Sequence, residues 1–441
     1  MTVLLYTLGV VLFVVGLAAS IGLHEVGHMV PAKKFGVKVT QYFVGFGRTV
    51  WSFRRGETEY GVKAIPLGGY VKLVGMLPPG PGEDEEHPRA VRKSNTGMFT
   101  QLISDARSAE YEQVEEGDED RLFYRLPWWK KVVVMAGGPM VNLVLAFLLF
   151  GGVFMLHGVP EATTTVARVS DCVIAATPQN VNQAPRACTP ADPVAPARAA
   201  GLRAGDRIVS FNGRPISSWD QLSSAIRANR DGSAAIVVER DGRRVTAHTN
   251  TTVSPRPSSA DNPEKIVKVG FLGVEPRLVN EKKGPGYVVA TMGSYTWHTV
   301  QALVQMPVKL VGVAKAALGL QARAQDSPMS VVGASRVAGE VASAPVPVGD
   351  RLISLLLLLG GINLFVGMFN FVPLLPLDGG HIAGALYEAV RRGLARLLHR
   401  PDPGYFDTAK LLPVAYVMAG VFLVMTVILV YADIVVPVRV G

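Results

Sequence analysis

In the stretch HEVGH two histidines stand four residues apart, with a glutamate directly after the first: His24, Glu25 and His28. On a helix, side chains four apart lie almost one turn above each other, so both imidazoles can reach one ion. Glu25 then points near that ion without ligating it, placed to accept a proton from metal-bound water. The pattern alone also fits two stacked histidines satisfied by hydrogen bonds. A catalytic zinc site takes three protein ligands and leaves a fourth position to water. One carboxylate stands at the end of an uncharged span in a distinctive frame, Asp378 in MFNFVPLLPLDGGHIAG. Gly379 and Gly380 free the backbone to turn there, while Pro373 and Pro376 oppose a regular helix. His381 follows closely and is held as a neighbour of the site.

These residues sit where charge is costly. Four uncharged segments reach the length needed to span a bilayer, roughly 17–25 residues: Val3–Leu23, Val132–Leu156, Leu352–Leu377 and Leu411–Tyr431. The chain is 441 residues long and 49% hydrophobic, with a mean hydropathy of +0.28, too apolar for a simple soluble enzyme. Met1–Leu23 carries no Lys or Arg and its apolar run is long, so it reads as a retained span, not a cleaved signal peptide. Ionisable groups at membrane depth mark a functional site.

Basic residues beside the spans set the orientation. Lys33, Lys34 and Lys38 follow the first span, Lys130 and Lys131 precede the second, and Arg391, Arg392, Arg396, Arg400 and Lys410 lie between the third and fourth. Both termini and the long segment 158–350 are therefore expected outside the cytoplasm. The net charge of +9 belongs to these cytoplasmic margins and is not gathered on a soluble face, so no nucleic-acid partner is expected. Cys172 and Cys188 fall in the outer segment, where a disulfide is permitted, although two free thiols fit the same spacing.

Between the spans, residues 33–76 are rich in Val, Tyr, Phe and Trp punctuated by glycines, which reads as β-strands and hairpins at the membrane margin. Residues 77–129 turn polar and acidic and read as a mobile cytoplasmic loop. Asn142 is a lone polar group in the second span, and it fits an interhelical hydrogen bond or a place beside the cavity equally well. The segment GLRAGDRIVSFNGRPI and the later VGFLGVEP resemble a bacterial protease-associated PDZ domain, which takes a peptide as an added strand or acts only as a steric gate. From Tyr295 to Leu320 Lys309 and Lys315 interrupt the apolar run, as in an amphipathic surface helix.

Together HEVGH and NFVPLLPLDGG resemble the site-2 protease family of intramembrane zinc metalloproteases, in particular the bacterial regulators of envelope-stress sigma factors and mycobacterial-type members with a single PDZ domain. FGVKVTQYFVGFG, IPLGGYVKLVGM, GGPMVNLVLA and SPMSVVGASRVAG resemble further segments of that family. In one departure, Leu375 stands where members often carry a second proline, and Pro376 follows. The resemblance implies one Zn2+ per chain held by His24, His28 and Asp378, Glu25 as general base, and Asn370 against the substrate backbone. It also implies single-span membrane substrates such as anti-sigma factors, cut a second time after an outer cleavage. Remnant signal peptides remain a second substrate class.

The fold expected is a multi-pass α-helical membrane protein of the bacterial cytoplasmic membrane, with a membrane-associated β-hairpin region and an extracytoplasmic PDZ (α+β) domain. Its parts are helix 1 (1–32), the hairpin region (33–76), the acidic loop (77–129), helix 2 (130–157), the PDZ domain with an Ala/Pro-rich insertion (158–290), an amphipathic outer segment (291–350), helix 3 (351–378), a cytoplasmic loop (379–410) and helix 4 (411–432). A peptide or ectodomain remnant at the PDZ domain and the bilayer itself complete the partners. The rival reading is a non-proteolytic envelope sensor with a structural metal, which would want a fourth protein ligand. A cation transporter would want several acids across the spans, and this chain shows one.

Overall fold

Lipid offers a peptide group no hydrogen-bond partner, so an uncharged run must close its own bonds as a helix. Among the described residues, four helices are long and apolar enough to cross a membrane: Thr2–Lys34, Trp128–His157, Val348–Asn370 and Thr408–Val435. The computed structural model describes residues 2–79, 98–112, 114–177, 180, 186–258, 265–324 and 326–438. These divide into one unit made of Met1–Val153 and Pro285–Val440, and another of Phe154–Gly284.

In the first unit, α1 (Thr2–Lys34) leads into β1 (Val39–Arg55) and β2 (Thr58–Leu73), then α2 (Met98–Tyr111) and α3 (Trp128–Gly152). Lipid gives helices no hydrophobic drive to associate, so close packing between small residues does the work. A methyl group at Gly27 or at Gly137 would collide with the other residue's backbone, so α1 and α3 meet backbone to backbone at that level. Pro139 has no N–H to give the preceding turn, yet α3 runs straight through it.

The hairpin β1–β2 does not stay flat. Gln41–Val44 pairs on one side with Gly69–Lys72 and on the other with Glu59–Val62, and Trp51–Arg55 continues beyond Thr58–Val62. Each long strand is therefore folded over, giving four short rungs with residues 69–73 along one margin. Gly45 and Gly47 sit at the bend with φ of 94° and 86°, a backbone that only glycine adopts freely.

The acidic stretch expected as a mobile loop is partly ordered. Its EDEEHPR run lies outside the described residues. The remainder forms α2 and two short turns, and Tyr111, Val114, Leu122 and Tyr124 build a small core with Val74. Lys38 ties this layer down through Asp118 at 2.5 Å and Glu115 at 2.7 Å. Acidic composition suggested solvation, but the apolar residues spaced among the acids bury against β2.

In the second unit, β3 (Val159–Val169), α4 (Pro196–Ala199), β4 (Arg207–Phe211), β5 (Arg214–Pro215), α5 (Trp219–Asn229), β6 (Ser233–Arg240), β7 (Arg243–Asn250), β8 (Thr252–Pro257), β9 (Ile266–Phe271) and β10 (Val274–Glu281) follow in order. The main sheet runs β10-β3-β4-β6-β7, with β5 on β4 and β8 paired to β9. Ile208, Leu222, Ile236, Val238 and Leu272 form its core. Cys172 and Cys188 are joined by a disulfide.

The chain returns to the first unit through α6 (Pro285–Ala317), α7 (Val331–Ser343), α8 (Val348–Asn370), α9 (Asp378–Leu397) and α10 (Leu412–Val435). Within the expected outer segment 291–350, α7 packs Ala334 and Ala338 on Phe13 and Leu17 of α1. Residues 379–410, expected as a loop, lie largely in α9 (Asp378–Leu397). Its many arginines pointed to solvent, yet one face carries Gly379, Gly380, Gly384, Ala385 and Glu388 and is buried. There Glu388 meets Lys131 at 2.7 Å, a buried ion pair that fastens α9 to α3.

Gly137→Ala is expected to destabilise the protein by about 1–3 kcal/mol through overpacking. Gly152→Ala, whose added methyl meets nothing, leaves stability unchanged. Thermal unfolding of both variants in detergent checks the contrast.

Candidate metal centre

The two histidines of α1 reach the same point because they are one turn apart, with His28 deepest. His28 Nδ1 faces the Val134 carbonyl of α3 at 2.8 Å, which fixes the ring and turns Nε2 toward His24. Nε2 of His28 lies 3.2 Å from Nε2 of His24. Asp378 enters from the opposite side, its Oδ2 3.4 Å from each of these nitrogens.

The aspartate arrives through a turn that α8 cannot make as a helix. α8 stops at Asn370, the chain passes through Pro373 and Pro376, and α9 starts at Asp378 itself. Methyl groups at Gly379 and Gly380 would strike the backbone of Phe371–Val372 and Leu374–Leu375, so the turn closes only around glycine.

Three donors at the corners of a tetrahedron around zinc, each roughly 2.0–2.1 Å from it, stand roughly 3.3–3.4 Å from one another. The triangle found here has sides of 3.2, 3.4 and 3.4 Å. Two imidazoles and one carboxylate are also a ligand set that zinc accepts with one position left open. Among the described residues these three form the one group placed to hold a metal ion. His381 lines the same cavity and is not part of that group.

Glu25 belongs to the same cavity but not to the triangle. Its carboxylate faces the Val71 backbone of β2. Glu25 therefore sits against the strand margin formed by residues 69–73. The cavity measures about 500 Å³, and its walls include that margin together with Asn142 and Asn370. Among the described residues, Asn142 Oδ1 is buried without a hydrogen-bond partner. A second cavity of about 570 Å³, mostly apolar, shares Ile21, Gly68 and Val366 with the first. An apolar route and a polar chamber therefore adjoin.

Sequence reasoning brought together His24, Glu25, His28, Asp378, Asn142 and Asn370, and all six line this cavity. It passed over Gly138, read as part of a packing notch. A methyl group there would collide with Nε2 of both histidines, so the space for the donors is carved out of α3. It also passed over Glu110, in a stretch assigned to solvation, which lines the chamber wall. A GG pair followed by proline in an otherwise apolar helix was the only available signal for the first, and the second left none.

A family model described as Peptidase family M50 matches residues 12–397. The chain is 32% identical to the zinc metalloprotease Rip1 of Mycobacterium tuberculosis strain H37Rv over 447 aligned positions, covering 99% of each chain. It is 28% identical to the metalloprotease MmpA of Caulobacter vibrioides, over 86% of each. It is 23% identical to the regulator of sigma-W protease RasP of Bacillus subtilis, over 87% of this chain and 90% of that one.

Gly138→Ala should lower the zinc bound per chain by roughly tenfold or more at a fixed free zinc concentration, since perturbing the support of ligands has that scale of effect. Elemental analysis of the purified variant measures it, and parental zinc content would show that the space above Gly138 is not needed.

Proposed function

Since this chain belongs to peptidase family M50 and is a membrane-bound zinc metalloprotease of the site-2 type, we propose that it cuts the transmembrane segments of single-span proteins at the His24, His28 and Asp378 centre. The observation that carries this reading is the nearly equilateral triangle of donors facing a strand margin, in a chamber that opens onto an apolar one.

In this reading His24, His28 and Asp378 hold the zinc, with His28 oriented by the Val134 carbonyl. Zinc there supplies Lewis acidity, making water acidic enough to deprotonate near neutral pH and polarising the scissile carbonyl. Glu25 takes the proton from the attacking water and passes it to the leaving amine. Lying against the Val71 backbone, the carboxylate sits at the level where the substrate backbone lies.

A transmembrane helix hides its peptide bonds in its own ladder, so it must unwind before it is cut. The freed amides need partners, and an open strand margin offers them in the manner of an added β-strand. Of the two stretches that could serve, VGFGRTV and GGYVKLVG, the second supplies the chamber wall through Gly68–Leu73. Val44 is already paired on both sides. Asn142 and Asn370 offer side-chain amides to the same unwound backbone.

The basic residues beside the spans support a chamber facing the cytoplasm of a bacterial cell, with both termini outside. The 158–290 segment is read as a single PDZ domain. Its support is the margin strand β10, with Leu278 61% exposed and Val279 42% exposed, and a groove of about 800 Å³ between α5 and the Gly270–Val274 turn. Such a domain suits a second cut, made after an outer cleavage has removed the bulk of the ectodomain. Anti-sigma factors with one span are the leading substrate class.

Glu25→Gln is expected to reduce cleavage of a single-span reporter by at least about a thousandfold while zinc stays bound. Single-span stubs would then accumulate in membranes carrying the variant, as read by proteomics against the parent, and their absence would remove the regulatory reading. Val71→Pro removes the margin N–H that faces Glu25 and should slow cleavage at least tenfold at normal zinc content; full-rate cleavage would dismiss both the placement of Glu25 by this strand and the strand clamp at this level.

A further inference from the structure

The chamber holds three carboxylates, and two of them belong to the metal site. The third, Glu110 of α2, lines the wall beside Lys72 and has no part in the hydrolytic chemistry. Its Oε1 accepts from the Met76 N–H at 2.9 Å. The group is therefore anchored on the turn that follows β2. Burial raises its pKa while Lys72 acts in the opposite direction. No lysine or arginine among the described residues forms an ion pair with it.

We propose that Glu110 recognises a basic side chain on the cytoplasmic flank of the substrate's transmembrane segment. The proposal rests on the reading of a substrate laid along β2. Gly69 marks the level of the chemistry, because a methyl group there would come within 3.0 Å of Glu25 Cγ. Leu73 is four residues farther along the strand, roughly 13 Å at 3.3 Å per residue, and the anchored Glu110 stands just beyond, at Met76. A chain paired with this margin brings its fourth to seventh residue past the cut, counted toward the cytoplasm, to the carboxylate.

The charge of the partner follows from membrane topology. Lysine and arginine collect on the cytoplasmic side of transmembrane segments, so a cation reaches this depth in most single-span chains. An acid already held by a backbone N–H meets that cation without first being ordered, which lowers the cost of forming the pair. A neutral wall would leave the incoming ammonium poorly solvated. A second cation in place of Glu110 would repel it.

The test is a set of single-span reporters carrying one Lys, Gln or Glu at each of the fourth to seventh positions past the cut. These are incubated with the full-length zinc enzyme and with Glu110→Gln and Glu110→Lys. At one or two of the positions the parent should cleave the Lys reporter about tenfold faster than the Glu reporter, the scale of a charge-assisted hydrogen bond. Glu110→Gln, which keeps an acceptor for the Met76 N–H, should reduce that ratio to about one at unchanged zinc content and melting temperature. Glu110→Lys should invert it. A ratio that survives in Glu110→Gln, or a parent enzyme indifferent to the flank charge, overturns the proposal while leaving proteolysis intact. A parent that cleaves none of the reporters overturns both.

Discussion

Ligands on one helix can reach an ion beside a packed neighbouring helix only where that neighbour leaves them room. Here that constraint is met at one level of α1 and α3. Gly27 and Gly137 bring the backbones together, and Gly138 leaves the volume that the two imidazoles occupy. The same contact puts the Val134 carbonyl where His28 Nδ1 can meet it. Were α3 to retreat by the width of a methyl group, the histidine ring would lose its orienting partner. The third corner is then a matter of chain direction: α8 ends, the Pro-rich turn reverses, and Asp378 starts a new helix facing the histidines.

Hydrolysis at membrane depth sets a second condition, since both water and unpaired amides must be tolerated where lipid offers neither a hydrogen bond. The folded-over hairpin answers it with backbone instead of side chains. Its 69–73 margin forms part of the chamber wall, and Glu25 lies against Val71, so strand and metal site share one wall. The chamber of the donors and the mostly apolar cavity share Ile21, Gly68 and Val366 in their walls. Around this centre, ion pairs do the fastening: Lys131 with Glu388 between α3 and α9, and Lys38 with Asp118 between the hairpin and the acidic layer.

The donors were legible because their types clash with their surroundings. Histidine, glutamate and aspartate inside or beside uncharged spans admit few readings, and the four-residue spacing supplies the geometry. The strands of residues 33–76 were legible through aromatic and β-branched residues between glycines. Their folding over was not, because it depends on which rungs pair and not on composition. α2 and α9 were read as loops since their charges dominate their composition, while a minority of apolar and small residues decides the packing, as with Tyr111 and Gly384. Gly138 was hidden for a different reason: its importance lies in the side chain it lacks, and that becomes visible only against His24 and His28.

The central claim is that His24, His28 and Asp378 are the protein's zinc ligands. The most direct measurement is zinc X-ray absorption on the purified full-length enzyme and on Asp378→Ala. The account predicts a spectrum fitted by two imidazoles and light oxygen ligands at roughly 2.0–2.1 Å, with one oxygen contribution lost or replaced in the variant. A sulfur contribution near roughly 2.3 Å, or a first shell identical in the two proteins, would contradict it.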